Sequence, residues 1–215
     1  MGALLILCAS GHGKVVADAA LATGRWDEIV FLDDAWPEKK ENGRWAISGK
    51  IENLPDWRGR LKEAVVAVGN NRLRLSLQRR LVEAGFEVAT VIHPSAQISP
   101  FAQIGAGSVI FSNAVVNVDA EIGEATIINT AATIDHDCRL GSAVHVSPGV
   151  HLAGAVSVGA YSWIGIGGVV RQMISIGSDV VVGAGAVVVS DVSDGMTVVG
   201  VPARPIRENR EVYKC

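Results

Sequence analysis

A small α/β domain followed by a parallel β-helix is the fold that three features of this 215-residue sequence predict. The first is a period of six: from Ile92 to Val188 every sixth residue is Ile, Val or Leu, seventeen in succession. The second is a period of eighteen, in which Gly105, Gly123, Gly141, Gly159 and Gly177 each follow one of those aliphatics. The third lies ahead of Ile92, where strand-length apolar runs alternate with helical spacing. These features divide the chain into an α/β domain over 1–91, a β-helix over 92–190, and a C-terminal strap and tail over 191–215.

A repeat of six matches neither the 3.6 of a helix nor the alternation of a hairpin strand, but it matches a short strand plus a corner. Eighteen is three such units, so one coil is a triangle. Two residues before each aliphatic stands a small side chain (Ala96, Ala102, Ser108, Ala114, Ala120, Thr126, Ala132, Cys138), replaced later by Val144, Val150, Val156, Ile174 and Val180. This is a second inward position, and it predicts a packed interior. Between five and six coils stacked at about 4.8 Å give a prism roughly 26 Å tall.

In the first domain, Leu4 to Cys8 reads as a strand, Ala9-Ser-Gly-His-Gly-Lys14 as a glycine turn, and Val15 to Leu21 as a helix. Glu28 to Leu32 is a second strand closed by Asp33-Asp34. Residues 35–60 hold three of the five tryptophans (Trp36, Trp45, Trp57) and read as a loop with one short strand near Ala46-Ile47 and a short helix around Trp57. Ala64 to Val68 is a third strand closed by Gly69-Asn70-Asn71, a basic amphipathic helix covers Arg72 to Ala84, and Val88 to Ile92 is a fourth strand. Strands alternating with helices predict a mostly parallel sheet with ligands at the carboxyl ends of its strands. Gly11 and Gly13 suit close approach to a phosphate, and Asp33 suits a ribose hydroxyl. Val16 stands where a dinucleotide fingerprint has its third glycine, which disfavours NAD. A nucleotide sugar and a tight turn without ligand both remain open.

The net charge of −3 supplies no basic face for nucleic acid. The apolar start is too short to span a membrane, so a cytoplasmic location is expected. Cys8, Cys138 and Cys215 show no disulfide framework or zinc spacing, and Cys138 occupies an inward position. Of the prism histidines, His93 precedes a proline at the domain junction and reads as structural. His145 and His151 fall on adjacent faces and do not converge on a metal within one chain; zinc held between chains would need three copies. His136 stands between Asp135 and Asp137 near a corner, where a carboxylate can fix one tautomer and raise the basicity of the other nitrogen. General base and exposed corner histidine are both compatible with that spacing.

The hexads, Asn129-Thr-Ala-Ala-Thr-Ile-Asp-His-Asp-Cys138, His145-Val-Ser-Pro-Gly-Val-His-Leu-Ala-Gly154 and Gly200-Val-Pro-Ala-Arg204 together resemble the hexapeptide acyltransferases. With the glycine turn, Asp33-Asp34 and Gly69-Asn70-Asn71, the chain looks like the nucleotide-sugar N-acetyltransferases of the bacillosamine, viosamine and perosamine type, and it is similar to the sialic acid O-acetyltransferase branch. The resemblance implies a left-handed β-helix, a homotrimer and an active site between neighbouring subunits, with acetyl-CoA as cosubstrate and no metal. It implies His136 as base supported by Asp137, where relatives often carry the longer Glu. His145 then lies by the acetyl end and the Gly154 N–H meets the thioester carbonyl. Later coils, including Ile166 and Ala184, and the strap at Val201, Pro202 and Arg204 line the rest of the cofactor. Gly11, His12 and Gly13 sit by the diphosphate of the nucleotide sugar, Lys14, Asp33 and Asp34 toward base and ribose, and Gly69 and Asn70 nearby. The expected reaction is direct acetyl transfer to the 4-amino group of a 4-amino-4,6-dideoxy sugar, with UDP favoured over GDP and dTDP. The rival readings are O-acetylation of a sialic acid, a β-helix trimer without activity, and a γ-carbonic-anhydrase-like zinc enzyme.

Overall fold

The structure, a computed structural model, describes residues 2–206. It divides into two compact units, Met1–Pro94 and Ser95–Cys215; the tail at 207–215 lies outside the described residues.

The first unit is built on a four-stranded sheet in the order β2-β1-β5-β6, parallel throughout, from Gly2–Leu7 (β1), Trp26–Leu32 (β2), Glu63–Val66 (β5) and Glu87–Val88 (β6). Leu4, Leu5, Ile6 and Leu7 are all fully buried, as a central parallel strand covered on both faces requires. The helix Gly11–Ala22 (α1) joins β1 to β2, and Asn71–Glu83 (α3) joins β5 to β6. Ser10 and Asn70 cap these helices, their side chains accepting from Gly13 N and Leu73 N. The chain reverses its direction of travel across the sheet between β1 and β5. In sheets of this kind ligands bind at such a switch point, outside the carboxyl ends of the strands.

Residues 35–60 are more ordered than a loop. They form the hairpin Glu41–Asn42 (β3) and Trp45–Ala46 (β4), a 3₁₀ turn at Ile51–Asn53 and the short helix Leu54–Trp57 (α2). Gly43-Arg44 is the two-residue hairpin loop, with positive φ at Gly43. The expected strand Val88 to Ile92 is instead two pieces, β6 and Val91–Ile92 (β7).

The second unit is a parallel β-helix of about six turns with three faces. The first face stacks Val109–Ile110, Ile127–Ile128, His145–Val146, Trp163–Ile164, Val181–Val182 and Thr197–Val199, with Arg204–Pro205 antiparallel at the end. The second stacks Gln97–Ile98, Val115–Val116, Thr133–Ile134, His151–Leu152, Val169–Val170 and Val187–Val188. The third runs from Gln103–Ile104 to Ser175–Ile176. Every repeat aliphatic from Ile110 to Val188 is buried, and so is the second inward position from Ser108 onward. Ile98 and Ile104, in the first coil, are only half-buried.

Every sixth residue from Gly107 to Gly185 has positive φ, including Asn113, Asp119, Ala125, Asp137 and Ala155. A left-handed residue other than glycine costs about 1–2 kcal/mol. The same corners recover a backbone hydrogen bond to the preceding coil: Ala125 N donates to Ala106 O at 2.9 Å, Asp137 N to Val118 O at 3.2 Å, and Ala155 N to His136 O at 2.9 Å. At the far end, Asp191 and Asp194 accept from Ser175 N and Ser178 N, and the strap places Ala203 N on Val187 O, so side chains and strap satisfy groups that another coil would otherwise meet.

Candidate active site

Because residues eighteen apart stack, each corner of the prism carries a column of side chains, and the three columns differ in chemistry. Where the third face turns into the first, the column is Gly105, Gly123, Gly141, Gly159 and Gly177. A Cβ at Gly123 would lie 2.5 Å from Gly141 C, and one at Gly159 2.4 Å from Ser178 N. This column is closed to side chains. Where the first face turns into the second, the column falls in size along Asn129, Ser147, Gly165 and Gly183. Where the second turns into the third, Asn117, Asp135, His136 and Asp137 concentrate charge and hydrogen-bonding groups.

At this third corner the imidazole of His136 points outward, its side chain 55% exposed. Its Nδ1 stands 2.7 Å from Asp137 Oδ2, so the short Asp side chain reaches the ring. The hydrogen bond to Asp137, followed by the charge of Asp135, raises the His136 pKa above the ordinary imidazole value. A carboxylate on Nδ1 makes that nitrogen the donor and leaves the Nε2 lone pair facing solvent. The next coil gives the ring room: a Cβ on Gly154 would lie 2.5 Å from His136 Cε1 and 2.6 Å from Nε2. Cys138, two residues on, is fully buried, donates Sγ–H to Ala153 O at 3.2 Å, and has its pKa raised by burial. It is packing, not a nucleophile.

The graded corner holds a groove of about 450 Å³ lined by His145, Ser147, Trp163, Gly165, Ile166 and Ala184 among others. His145 is nearly buried and stacks face to face on Trp163, ring centroids 5.2 Å apart and planes within 2°. The Trp163 indole N–H donates to Ser147 Oγ at 2.7 Å, so the pair forms a fixed wall. Farther along, the column shrinks to glycine because the following coil packs directly against it: a Cβ at Gly165 would stand 2.7 Å from Val182 O, and one at Gly183 2.7 Å from Val199 Cγ1.

The expected cofactor residues therefore fall in three places. His145, Ile166 and Ala184 share the groove; Gly154 lies against His136 on the other corner; Val201, Pro202 and Arg204 belong to the strap, where Arg204 borders a cavity of about 180 Å³ with Val188 and Asp191. Trp163, Asn129 and Ser147 were not singled out from the sequence, although the eighteen-residue spacing from His145 and Ser147 would have found Trp163 and Asn129.

In the first unit, the turn after β1 and the loop after β5 meet at the switch point. Ala67 N donates to Leu7 O at 2.9 Å and Ser10 Oγ to Ala67 O at 3.5 Å, bringing Gly11, His12 and Gly13 together with Gly69 and Asn70. Gly13 is required there, since a Cβ would stand 2.6 Å from Cys8 O. The acids are engaged structurally: Asp33 accepts from Ala9 N at 2.6 Å and Ala35 N at 2.9 Å, and Asp34 from Ile51 N at 3.0 Å. Lys14 lines a separate groove with Asp18, Arg44 and Trp45. Arg74, fully buried, donates to Val68 O, Gly69 O and Asn71 Oδ1 and so fixes the second loop from below. Burial, then the Arg74 charge, pushes His12 down to about 4, so the imidazole is neutral at physiological pH. Among the described residues no helix is long and apolar enough to cross a membrane, and no group of three His, Cys, Asp or Glu side chains could hold a metal ion.

Comparison with known proteins bears on this arrangement directly. Residues 3–81 match the family described as the PglD N-terminal domain. The acetyltransferase domain of PglB from Neisseria gonorrhoeae, solved in complex with acetyl coenzyme A, is 45% identical with a TM-score of 0.91 over 95% of this chain and 98% of that one. The chain belongs to this sugar N-acetyltransferase family. A second member, PerB from Caulobacter crescentus in complex with CoA and GDP-perosamine, is 38% identical with a TM-score of 0.91, covering 96% of this chain and 98% of that one. The UDP-N-acetylbacillosamine N-acetyltransferase of Bacillus subtilis is 37% identical over 102 residues; the match takes in 46% of this chain and about half, 47%, of that relative.

Proposed function

We propose that the protein transfers an acetyl group from acetyl-CoA directly to the 4-amino group of a nucleotide-linked 4-amino-4,6-dideoxy sugar, with His136 as the general base. The observation that carries this reading is the outward imidazole whose Nδ1 is held by Asp137 while Gly154 leaves Nε2 room to meet an acceptor. The amine attacks the thioester carbon, forming the C–N bond, as Nε2 takes the nitrogen's proton. The tetrahedral intermediate then collapses, the C–S bond breaks, and the proton passes from His136 to the CoA sulfur. The Gly154 N–H is assigned to the oxyanion, a contribution typically worth about 3–4 kcal/mol. The buried Cys138 supports transfer without an acetyl-enzyme.

The graded groove at the next corner, walled by His145 and Trp163, suits an extended thiol arm lying along the prism axis, with the Val201 to Arg204 strap at its far end for the anionic portion. Base and groove bound the two sides of the second face, so one chain does not juxtapose them. A homotrimer would bring the base of one copy to the groove of another. The nucleotide is assigned to the switch point of the first unit, with the neutral His12 as a hydrogen-bonding group rather than a counter-charge. UDP is placed first on the Bacillus relative, with the GDP sugar of the Caulobacter relative as the competitor.

The test is turnover of acetyl-CoA with UDP-, GDP- and dTDP-linked 4-amino sugars and with a sialic acid. Turnover of a nucleotide-linked amine is expected, and acetylation of the sialic acid alone would overturn the reading. His136→Asn is expected to lower kcat by about 10² to 10⁴ while KM for acetyl-CoA stays within about threefold.

A further inference from the structure

His136 is held by more than its neighbour Asp137. One coil earlier, in the register that pairs Val115 with Thr133 and Val116 with Ile134, stands Asn117. Its backbone N donates to Ile134 O at 2.9 Å, fixing the residue to the start of the catalytic corner. Its side-chain Nδ2 donates to Asp135 Oδ1 at 2.9 Å. The same oxygen accepts from His136 N at 2.8 Å. One carboxylate oxygen thus ties the amide of the preceding coil to the backbone of the base. Both donors favour the ionised carboxyl, and Asp135 is held below the usual carboxylate range, first by the His136 N–H and next by Asn117.

We propose that Asn117 is a positioning residue for the base: it locks Asp135 as a second carboxylate beside His136 and fixes the corner from which the imidazole projects. The inference rests on the reading of His136 as base, and it adds a residue from outside the Asp135-His136-Asp137 triplet. The charged groups about the imidazole are Asp135 and Asp137 on its own corner and Asp119 at the corresponding position of the preceding coil. The following coil presents Gly154 and Ala155, without charge, and Arg171 comes only one coil later. Without the Asn117 amide, Asp135 keeps one donor and gains freedom to turn toward solvent. The imidazole then loses part of the anionic field that raises its basicity.

The decisive measurement is the NMR titration of the His136 Cε1–H resonance in the wild type, Asn117→Ala, Asn117→Gln and Asp135→Asn, which needs neither substrate nor turnover. In Asn117→Ala the midpoint is expected to fall by about half a pH unit. Asp135→Asn, which keeps an acceptor for His136 N but removes the charge, is expected to lower it at least as far; Asn117→Gln, which restores an amide, is expected to return it toward the wild type. The acid limb of kcat/KM, measured with acetyl-CoA and the UDP-linked amino sugar, moves to lower pH in step with the midpoint. Plateau kcat falls roughly threefold to tenfold as the base weakens, and KM for acetyl-CoA is unchanged. Coincident titrations of the wild type and Asn117→Ala would overturn the inference. Full activity of His136→Asn would instead remove the catalytic reading, leaving the NMR midpoints to decide the positioning claim by themselves.

Discussion

At the scale of the residue, the His136 corner depends on what is missing as much as on what is present. Gly154 is the case in point, because the space its absent side chain leaves is filled by the His136 ring. In Gly154→Ala the new methyl meets the far end of a flexible, exposed side chain, so the ring yields rather than the fold. The displaced imidazole loses its Asp137 hydrogen bond. Steady-state kinetics are expected to show kcat down by about tenfold to a hundredfold, with a melting temperature within about 2 °C of the wild type. Hexad position showed the inward Cys138 and set His136 between two aspartates at a corner; the choice of Asp137 as its partner came from the family resemblance. The sequence did not show the Asn117 to Asp135 bond or the stack of Trp163 on His145, because both join residues eighteen apart. Reading the columns at that interval would have found the pairs, but side-chain direction at a corner depends on the positive φ of the residue that turns it.

Among the elements, the prism strands are two residues long, three at Thr197–Val199, and gain their order from stacking rather than length. That made them legible, since one inward aliphatic per hexad records the stacking in the sequence. The hairpin of β3 and β4 was harder, as its strands are equally short and lack a repeat to amplify them. The Gly43-Arg44 loop was the available signal, a glycine first in a two-residue turn between Asn42 and Trp45. The acids Asp33 and Asp34, whose position after β2 pointed to a ribose, also accept from backbone N–H groups of neighbouring loops, contacts that their place in the sequence did not reveal. The glycine corner offers a test of stacking itself. In Gly123→Ala the methyl meets backbone of the next coil, which cannot swing aside. Urea unfolding of the second unit is expected to show a loss of about 3 kcal/mol or more.

For the whole molecule, the placement of His136 and the groove on different corners has a consequence for mixed assemblies if His136 is the base proposed above. A copy carrying His136→Asn supplies an intact groove, and a copy carrying Ala184→Trp supplies an intact base. Each is expected to be inactive alone. After co-refolding in equal amounts, random assortment in a closed ring leaves about a quarter of the shared sites intact. Recovery of roughly that fraction of wild-type activity supports a site completed by a second copy, and no recovery places base and groove chemistry within one chain. The six-residue period starts abruptly at Ile92, two residues before the first compact unit ends at Pro94; the switch point was legible only as three strand ends, since the strand order that joins β1 to β5 is a property of the fold.

The uniform corners also restrict how such a chain can change in length. Removing or adding eighteen residues returns each face to its own phase and alters only the number of turns. An insertion of six ahead of the His136 corner keeps every aliphatic inward yet rotates the molecule's chemistry by one edge, bringing Asp135 into the register of the glycine column, where a side chain meets the backbone of the neighbouring coil. Growth of this architecture is therefore counted in whole turns, and the reach of any ligand lying along it can lengthen or shorten only in steps of one coil.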